Sequence, residues 1–206
     1  MGVLDWISIL TIISILIALA STIRITFSSK SAYLILLSLS LVSYLASNCF
    51  YLIDSGLDVL IKWSNLLSLC FLLSGLFDLI RASKPIFASF PVYLIYIPFI
   101  IPFFFPLIIN QTVLSNLLIG VLQLGCIIVS IMMYSIHQLR SGNSLAQLIG
   151  SVSLLVAFIT FWILDIEDFM QNILTQILIV IGIMFISFGI QKSKKAEIHD
   201  KKFSKH

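Results

Sequence analysis

Charged side chains are scarce in this sequence. They make up 10% of its 206 residues, whereas hydrophobic residues make up 60%. A typical soluble domain is about 25% charged and about 45–50% apolar. So few charges could not cover the water-facing helix surfaces of a soluble protein of this length. The deficit therefore excludes an ordinary soluble domain and indicates a chain that lies mostly in lipid.

The residues and motifs of common catalytic and metal sites are also missing. Three cysteines, Cys49, Cys70 and Cys126, lie inside apolar segments without metal-ligand spacing, so they are interpreted as packing residues. The sequence has no H-E-x-x-H pair, no phosphate-binding glycine loop and no G-x-S-x-G turn. No predicted span has a charge at its centre, as a proton or sodium relay would need. We therefore expect no enzymatic activity, no cofactor and no metal.

Long apolar runs fill most of the chain, and charges and turn residues divide them into seven segments. Each is close to the length of about 20 residues that crosses a bilayer, and none alternates like a barrel strand. The predicted spans are about residues 6–23, 31–53, 57–80, 86–109, 113–136, 141–164 and 169–191. The first span follows Asp5 and no basic residue, unlike a secretory signal, so we expect it to be retained. The prediction is one all-α membrane domain over 1–191 and a basic cytoplasmic tail over 192–206.

The basic residues fall on one side of this threading. They are Arg24, Lys30, Arg81, Lys84, Arg140 and the six lysines of the tail, and only Lys62 of the twelve lies on the other side. The opposite loops carry Asp5, Asp54, Asp58, Asp165, Glu167 and Asp168. Basic loops normally remain in the cytoplasm. The pattern therefore predicts an external N-terminus, a cytoplasmic C-terminus and an odd number of crossings.

A shift of 111 residues suggests an internal repeat. It places the first three spans on the last three and leaves the fourth between them. Residues 50–54 then overlie 161–165, Arg81 overlies Lys192, and Asn65 overlies Gln176. Such a three-plus-one-plus-three plan would relate the halves by an axis along the membrane normal. An evenly looped seven-helix chain without a repeat remains the alternative.

Small and polar residues recur three or four positions apart on one helical face of several spans. The fifth span has such a stripe with Tyr134, the sixth with Gly150, and the seventh with Gly182 and Gly189. Such stripes favour helix–helix packing in lipid, but they can also line a ligand cavity. The amides Asn48, Asn65 and Gln123 are the strongest ligand candidates, because an amide in hydrocarbon needs a partner or water. Tyr96 and Gln176 complete the candidate set. Packing and ligand binding both remain open for these residues.

All five prolines lie between residues 85 and 106. Pro98, Pro102 and Pro106 are four residues apart, so they share a helical face. Each removes a backbone donor and pushes against the carbonyl four residues earlier. We therefore expect a kinked fourth helix whose proline face is turned inward, away from lipid. The exposed carbonyls could accept from a hydroxyl-bearing ligand or cation, or the kink could serve packing alone.

The last fifteen residues form the most basic part of the sequence. Their lysines are Lys192, Lys194, Lys195, Lys201, Lys202 and Lys205. Beside a membrane, such a cluster is typical of contact with anionic lipid of the inner leaflet. We expect that contact, a membrane protein partner or a second copy of the chain, and no nucleic acid.

Seven-helix families share this plan but not its residues. The last predicted span has no lysine for retinal, as microbial rhodopsins require, and no N-P-x-x-Y of G-protein-coupled receptors. SWEET and PQ-loop transporters share the three-plus-one-plus-three plan but carry prolines in the repeated helices. Bacterial seven-helix sensor modules normally precede an output domain. Two hypotheses remain. The first is a sensor-like or accessory subunit in a plasma membrane, and the amino-acid composition suggests a prokaryotic one. The second is a small-solute transporter with a cavity between the two three-helix halves.

Overall fold

The computed structural model describes residues 3–29, 31–53, 56–83, 91–142, 144–163 and 168–203. In these residues the chain forms seven α-helices and one 3₁₀-helix. The α-helices are α1 (Val3–Ser29), α2 (Ala32–Ile53), α3 (Asp58–Ser83), α4 (Ile101–Ile108), α5 (Thr112–Ser141), α6 (Leu145–Trp162) and α7 (Asp168–Phe203). The 3₁₀-helix, Val92–Ile100, runs directly into α4, and the two together are called the fourth segment. The predicted all-helical fold is confirmed.

Six helices of the described ranges are long and apolar enough to cross a membrane. They are α1, α2, α3, α5, α6 and α7. The fourth segment contains a shorter apolar helical stretch, Ile95–Ile108. The chain is therefore a helical bundle compatible with a multi-pass membrane protein, as its composition predicts.

Several helix boundaries differ from the predicted spans; α1 continues to Ser29 and α5 to Ser141, beyond the predicted ends at 23 and 136. α6 begins at Leu145, whereas the predicted sixth span begins at residue 141. The reason is Gly142, whose left-handed φ of 68° ends α5 in the way that glycine commonly ends helices. At the other end of the chain, α7 continues to Phe203, so the predicted tail extends the last helix.

Some predicted features lie outside the described residues. They are residues 86–90 of the predicted fourth span and the charged residues Lys30, Asp54, Lys84, Asp165, Glu167 and Lys205.

The fourth segment changes helix type between two of its prolines. Pro98 lies inside the 3₁₀-helix, and Pro102 lies in the first turn of α4. Proline is tolerated in a first turn because the N–H groups there have no partner within the helix. Pro106 lies inside α4, which ends at Ile108 after eight residues. The segment is therefore one continuous helical stretch whose type changes from 3₁₀ to α at Ile101.

The six long helices form a closed ring. The neighbouring pairs are α1–α2, α2–α3, α3–α5, α5–α6, α6–α7 and α7–α1. The fourth segment packs only against α3 and α5 among the described elements. Phe103 and Leu107 of α4 are exposed, so the fourth segment covers the α3–α5 seam from outside the ring.

Pairs of contacts give the relative direction of neighbouring helices. The aromatic rings of Trp63 and Phe105 have centroids 5.1 Å apart, and those of Phe71 and Phe99 are 5.2 Å apart. From Trp63 to Phe71 along α3, the contacted residue moves backward along the fourth segment, from Phe105 to Phe99. The two elements are therefore antiparallel. α2 and α3 are also antiparallel. Ser40 bonds Ser68, whereas Ser47, later in α2, bonds the carbonyl of Ile61, earlier in α3.

Two neighbouring pairs run parallel. In α5, Ile119 packs in one cluster with Leu66 of α3, and the Cys126 thiol donates to the Leu69 carbonyl at 3.7 Å. α1 and α7 contact each other through Thr11 and Gln176. Further along both helices, Ile25 of α1 packs against the cluster that includes Ile190 of α7. The fourth segment consequently returns the chain from the end of α3 to the start of α5.

Close packing of α6 on α7 depends on glycine. A Cβ atom at Gly150 would lie 2.7 Å from the Gly182 carbonyl oxygen and 2.9 Å from the Ile186 backbone nitrogen. A Cβ atom at Gly189 would lie 2.8 Å from the backbone nitrogen of Gln147. The small-residue stripes predicted on the sixth and seventh spans therefore face each other and bring the two backbones close.

Candidate functional site

The five residues predicted as ligand contacts lie on five different elements. Asn48 is on α2, Asn65 on α3, Tyr96 on the 3₁₀-helix, Gln123 on α5 and Gln176 on α7. The hydrogen bonds described for Asn48, Gln123 and Gln176 go to other groups of the protein. A common ligand site formed by the five residues stays a prediction.

Asn48 bonds within its own helix. Its side-chain Nδ2 donates to the Tyr44 carbonyl at 2.8 Å, which satisfies part of the amide without a ligand. Asn65 is half-buried on α3, about a third of the way along the predicted third span.

Gln123 accepts a hydrogen bond from an indole. The Trp162 Nε1–H donates to the Gln123 Oε1 at 3.4 Å, which joins α5 to α6. The same indole lies over Gly120, where an added Cβ atom would be 3.2 Å from the ring. A polar partner for the tryptophan N–H is expected when its ring is packed against protein. The glutamine and the glycine together seat this aromatic ring.

Gln176 joins the first and last helices. The Thr11 hydroxyl, which is fully buried, lies 3.0 Å from the Gln176 Oε1 and 2.9 Å from the Ile7 carbonyl. A hydroxyl has one proton, so these two acceptors share it. The amide predicted as a ligand contact thus bonds across the α1–α7 seam.

Tyr96 lies on the outer surface of the fourth segment, with 59% of its side chain exposed. The three prolines of the segment differ from one another in exposure. Pro98 is fully buried, Pro102 is half-buried and Pro106 is exposed. The segment therefore turns one end of its proline face toward α3, and the other end faces outward.

The carbonyl freed by Pro98 has a partner from α3. In a 3₁₀-helix each N–H bonds the carbonyl three residues earlier, so a proline at position 98 leaves the Ile95 carbonyl without its donor. The buried Ser74 hydroxyl donates to this carbonyl at 2.5 Å. In an α-helix the bond spans four residues, so Pro98 would free the Leu94 carbonyl instead; the tighter winding of the 3₁₀-helix moves the free acceptor by one residue. This acceptor is thus occupied by protein.

Two cavities lie on the outer surface and are lined mainly by apolar side chains. One, of about 440 Å³, lies between α4 and α5 and is lined by Ile101, Phe104, Phe105, Leu107, Ile108 and Leu118. The other, of about 270 Å³, lies between α1 and α2 and is lined by Ile23, Thr26, Phe27, Ile35, Ser38, Leu39 and Val42. Neither cavity includes a residue of the predicted ligand set.

Two tyrosines meet inside the bundle. The hydroxyl oxygens of Tyr33 on α2 and Tyr134 on α5 are 2.7 Å apart, and both side chains are buried. Tyr134 belongs to a polar stripe that the sequence indicates on the fifth span. Tyr33 was not predicted, because an aromatic residue at the start of a span is typical of the membrane interface.

The described residues contain no group of three or more His, Cys, Asp or Glu side chains placed to hold a metal ion. Comparison with known protein families, characterised proteins and solved structures finds no significant match. The function of this chain is therefore inferred from its own contacts alone. Those contacts use its amides, hydroxyls and small residues to join one helix to another.

Proposed function

We propose that all seven segments cross the membrane, with the N-terminus outside and the C-terminus in the cytoplasm. The parallel pairs α1–α7 and α3–α5 support this threading, because a chain that leaves α3 must return across the bilayer before it enters α5 in the same direction. The one-sided distribution of basic residues supports the orientation.

The fourth segment is long enough for this return, although it has fewer residues than the other spans. A 3₁₀-helix rises about 2.0 Å per residue and an α-helix about 1.5 Å. Nine residues of the first type and eight of the second reach about 30 Å, close to the thickness of the hydrocarbon core. The larger rise per residue of the 3₁₀-helix compensates for the small number of residues in the segment.

The contacts also support a three-plus-one-plus-three repeat. Exchange of α1, α2 and α3 with α5, α6 and α7 maps every neighbouring pair of the ring onto another neighbouring pair. A glycine of close approach recurs as well, at Gly75 against Leu36 and at Gly189 against Gln147. These positions are 114 and 111 residues apart in the two halves, close to the shift that the sequence suggests.

A reporter experiment tests the threading. We expect a reporter fused after His206 and a reporter inserted after Ser83, at the end of α3, to be active only in the cytoplasm. A reporter inserted after Gln111, between α4 and α5, should be active only outside. Without a crossing by the fourth segment, the reporters after Ser83 and Gln111 would lie on the same side. An external signal after His206 would contradict the orientation.

We infer that the protein is a non-enzymatic membrane subunit, sensor-like or accessory, that packs with a partner in a plasma membrane. The observation that supports this function is the use of the polar residues. Gln123 and Gln176 bond neighbouring helices, Asn48 bonds its own helix, and both described cavities face outward with largely apolar linings. A protein with such surfaces is suited to bind lipid or another membrane helix.

The basic extension of α7 provides a second contact. From Lys194 to Phe203 the helix continues for ten residues beyond the membrane-compatible stretch Gln171–Ser193, or about 15 Å. Lysines near a bilayer surface attract anionic lipid with about 1 kcal/mol each. We expect the first residues of the extension to lie at the depth of lipid headgroups and the last to lie farther into the cytoplasm.

Purification of the full chain in mild detergent tests the accessory function. We expect one membrane protein to co-purify in a fixed ratio, and reciprocal purification through that protein to recover this chain. A variant in which Lys192, Lys194, Lys195, Lys201 and Lys202 are changed to glutamine should retain less anionic lipid. A strictly monomeric chain with no fixed-ratio partner in both directions would contradict the proposal.

A small-solute transporter is the second candidate, because the two three-helix groups are arranged as equivalent halves of a ring. It requires a water-accessible interior beside Asn48, Asn65 and Gln123. Bonding of Asn48 and Gln123 within the protein favours the accessory function over this alternative.

A further inference from the structure

The Tyr33–Tyr134 pair differs from the other hydrogen bonds between helices. Ser40 with Ser68, Ser153 with the Leu178 carbonyl, and Thr11 with Gln176 join helices that are neighbours in the ring. Tyr33 and Tyr134 instead join α2 to α5, and no backbone contact between these helices exists in the described part of the chain. Two long phenol side chains therefore span the interior of the ring.

The pair also joins the two three-helix groups, α1–α3 and α5–α7. The backbones of these groups meet along two seams, α7–α1 and α3–α5. α2 and α6 are the helices of each group that lie away from both seams. The tyrosine pair thus attaches α2, which lies away from both seams, to α5 of the opposite group, where it can resist separation of the groups.

Apolar side chains close the same end of the ring. Leu34 and Leu37 follow Tyr33 in α2 and pack in one cluster with Ile190 of α7. Tyr33, Leu34, Leu37 and Ile190 are each at most 8% exposed. Two different contacts between the groups, one polar and one apolar, therefore lie within about one helical turn of the start of α2.

We propose that the Tyr33–Tyr134 hydrogen bond is a latch that holds the two groups together at this end, and that its release admits water to the interior from there. The latch follows from the contacts, whereas its assignment to the cytoplasmic end rests on the proposed threading. The hydroxyl pair suits this role because each phenol can exchange its partner for water when the end opens. The apolar cluster offers no such exchange.

Labelling of one cysteine in lipid nanodiscs tests the latch. The reporter is Leu37→Cys in a background where the three native cysteines are alanine, and the probe is a membrane-impermeant maleimide. We expect Tyr33→Phe and Tyr134→Phe each to raise the labelling rate about threefold, the factor that corresponds to a typical interhelical hydrogen bond in a membrane. Both rings remain, so packing is preserved. Nanodiscs expose both faces, so the result does not depend on the orientation.

A double variant and two controls separate a latch from general loosening. Tyr33→Phe with Tyr134→Phe should label no faster than either single variant, because all three lack the same bond. Tyr51→Phe, at an exposed tyrosine of the same helix, should leave the rate unchanged. Native Cys49, retained alone near the other end of α2, should also keep its rate in Tyr33→Phe. An unchanged rate at Leu37→Cys, additive single effects, or an equal rise at Cys49 would each overturn the latch.

Discussion

Phe105→Ala is expected to lower the free energy of unfolding by about 3 kcal/mol, the lower end for removal of a buried phenylalanine. Phe105 is fully buried and lies edge-on to Trp63, in a cluster with Leu66 and Ile119. The cost arises chiefly from the cavity, since lipid is as apolar as the protein interior and contributes no water-driven burial between helices. The loss should be measured by equilibrium unfolding in SDS, followed through tryptophan fluorescence.

The adjacent residue is a matched control for this prediction. Phe104 is 61% exposed, in the same helix and of the same chemistry, so Phe104→Ala should change the free energy of unfolding by less than about 0.5 kcal/mol. Equal effects of the two variants would show that the fourth segment does not dock through Phe105. Trp63 fluorescence should change only in Phe105→Ala, because Trp63 is the ring that loses its neighbour.

Gly150→Ala should lower the free energy of unfolding by about 1–3 kcal/mol, the usual cost of overpacking. The added methyl group would meet the Gly182 carbonyl and the Ile186 nitrogen, both backbone atoms that no side-chain rotation can remove. α6 and α7 would have to separate, and the hydrogen bond from Ser153 to the Leu178 carbonyl would lengthen. The same SDS titration measures this loss.

Gly125→Ala is the control for the glycine variant. No atom lies within 4 Å of a Cβ built at Gly125, although this residue also lies inside a membrane-compatible helix. Alanine has the higher helix propensity, so this variant should be neutral or stabilising by up to about 1 kcal/mol. If Gly150→Ala were as stable as Gly125→Ala, the close approach of α6 and α7 would be wrong.

The long helices were accessible from sequence because lipid imposes a simple rule on length and charge. Charges and turn residues near Ser31, Asp54 and Asn110 predict helix ends within a few residues of the observed ones. The sixth helix was misplaced at its start because Ser141, Gly142 and Ser144 are compatible with several turns. Only the backbone shows that Gly142 takes the left-handed conformation there.

The partners of the polar residues were harder to predict. A stripe of serine and glutamine indicates that a helix has a protein-facing side, but it does not specify the atom that each side chain meets. Ser74 illustrates this, because its partner, the Ile95 carbonyl, is free only once the proline segment adopts a 3₁₀ pitch. The pairing of Tyr33 with Tyr134 depends on the tertiary arrangement and has no local signal in the sequence.

The contact between α1 and α7 makes assembly of the ring depend on the order of synthesis. α7 is translated after every other described helix, so the flank of α1 that contains Thr11 faces bare acyl chains while the intervening helices insert. During that interval the Thr11 hydroxyl has only the carbonyl of Ile7 in its own helix, and Gln176 arrives last. Insertion of α7 is thus the step that closes the ring of helices. A nascent chain that stalls before Gln176 would keep the flank of α1 unpaired, and quality-control proteases could recognise it.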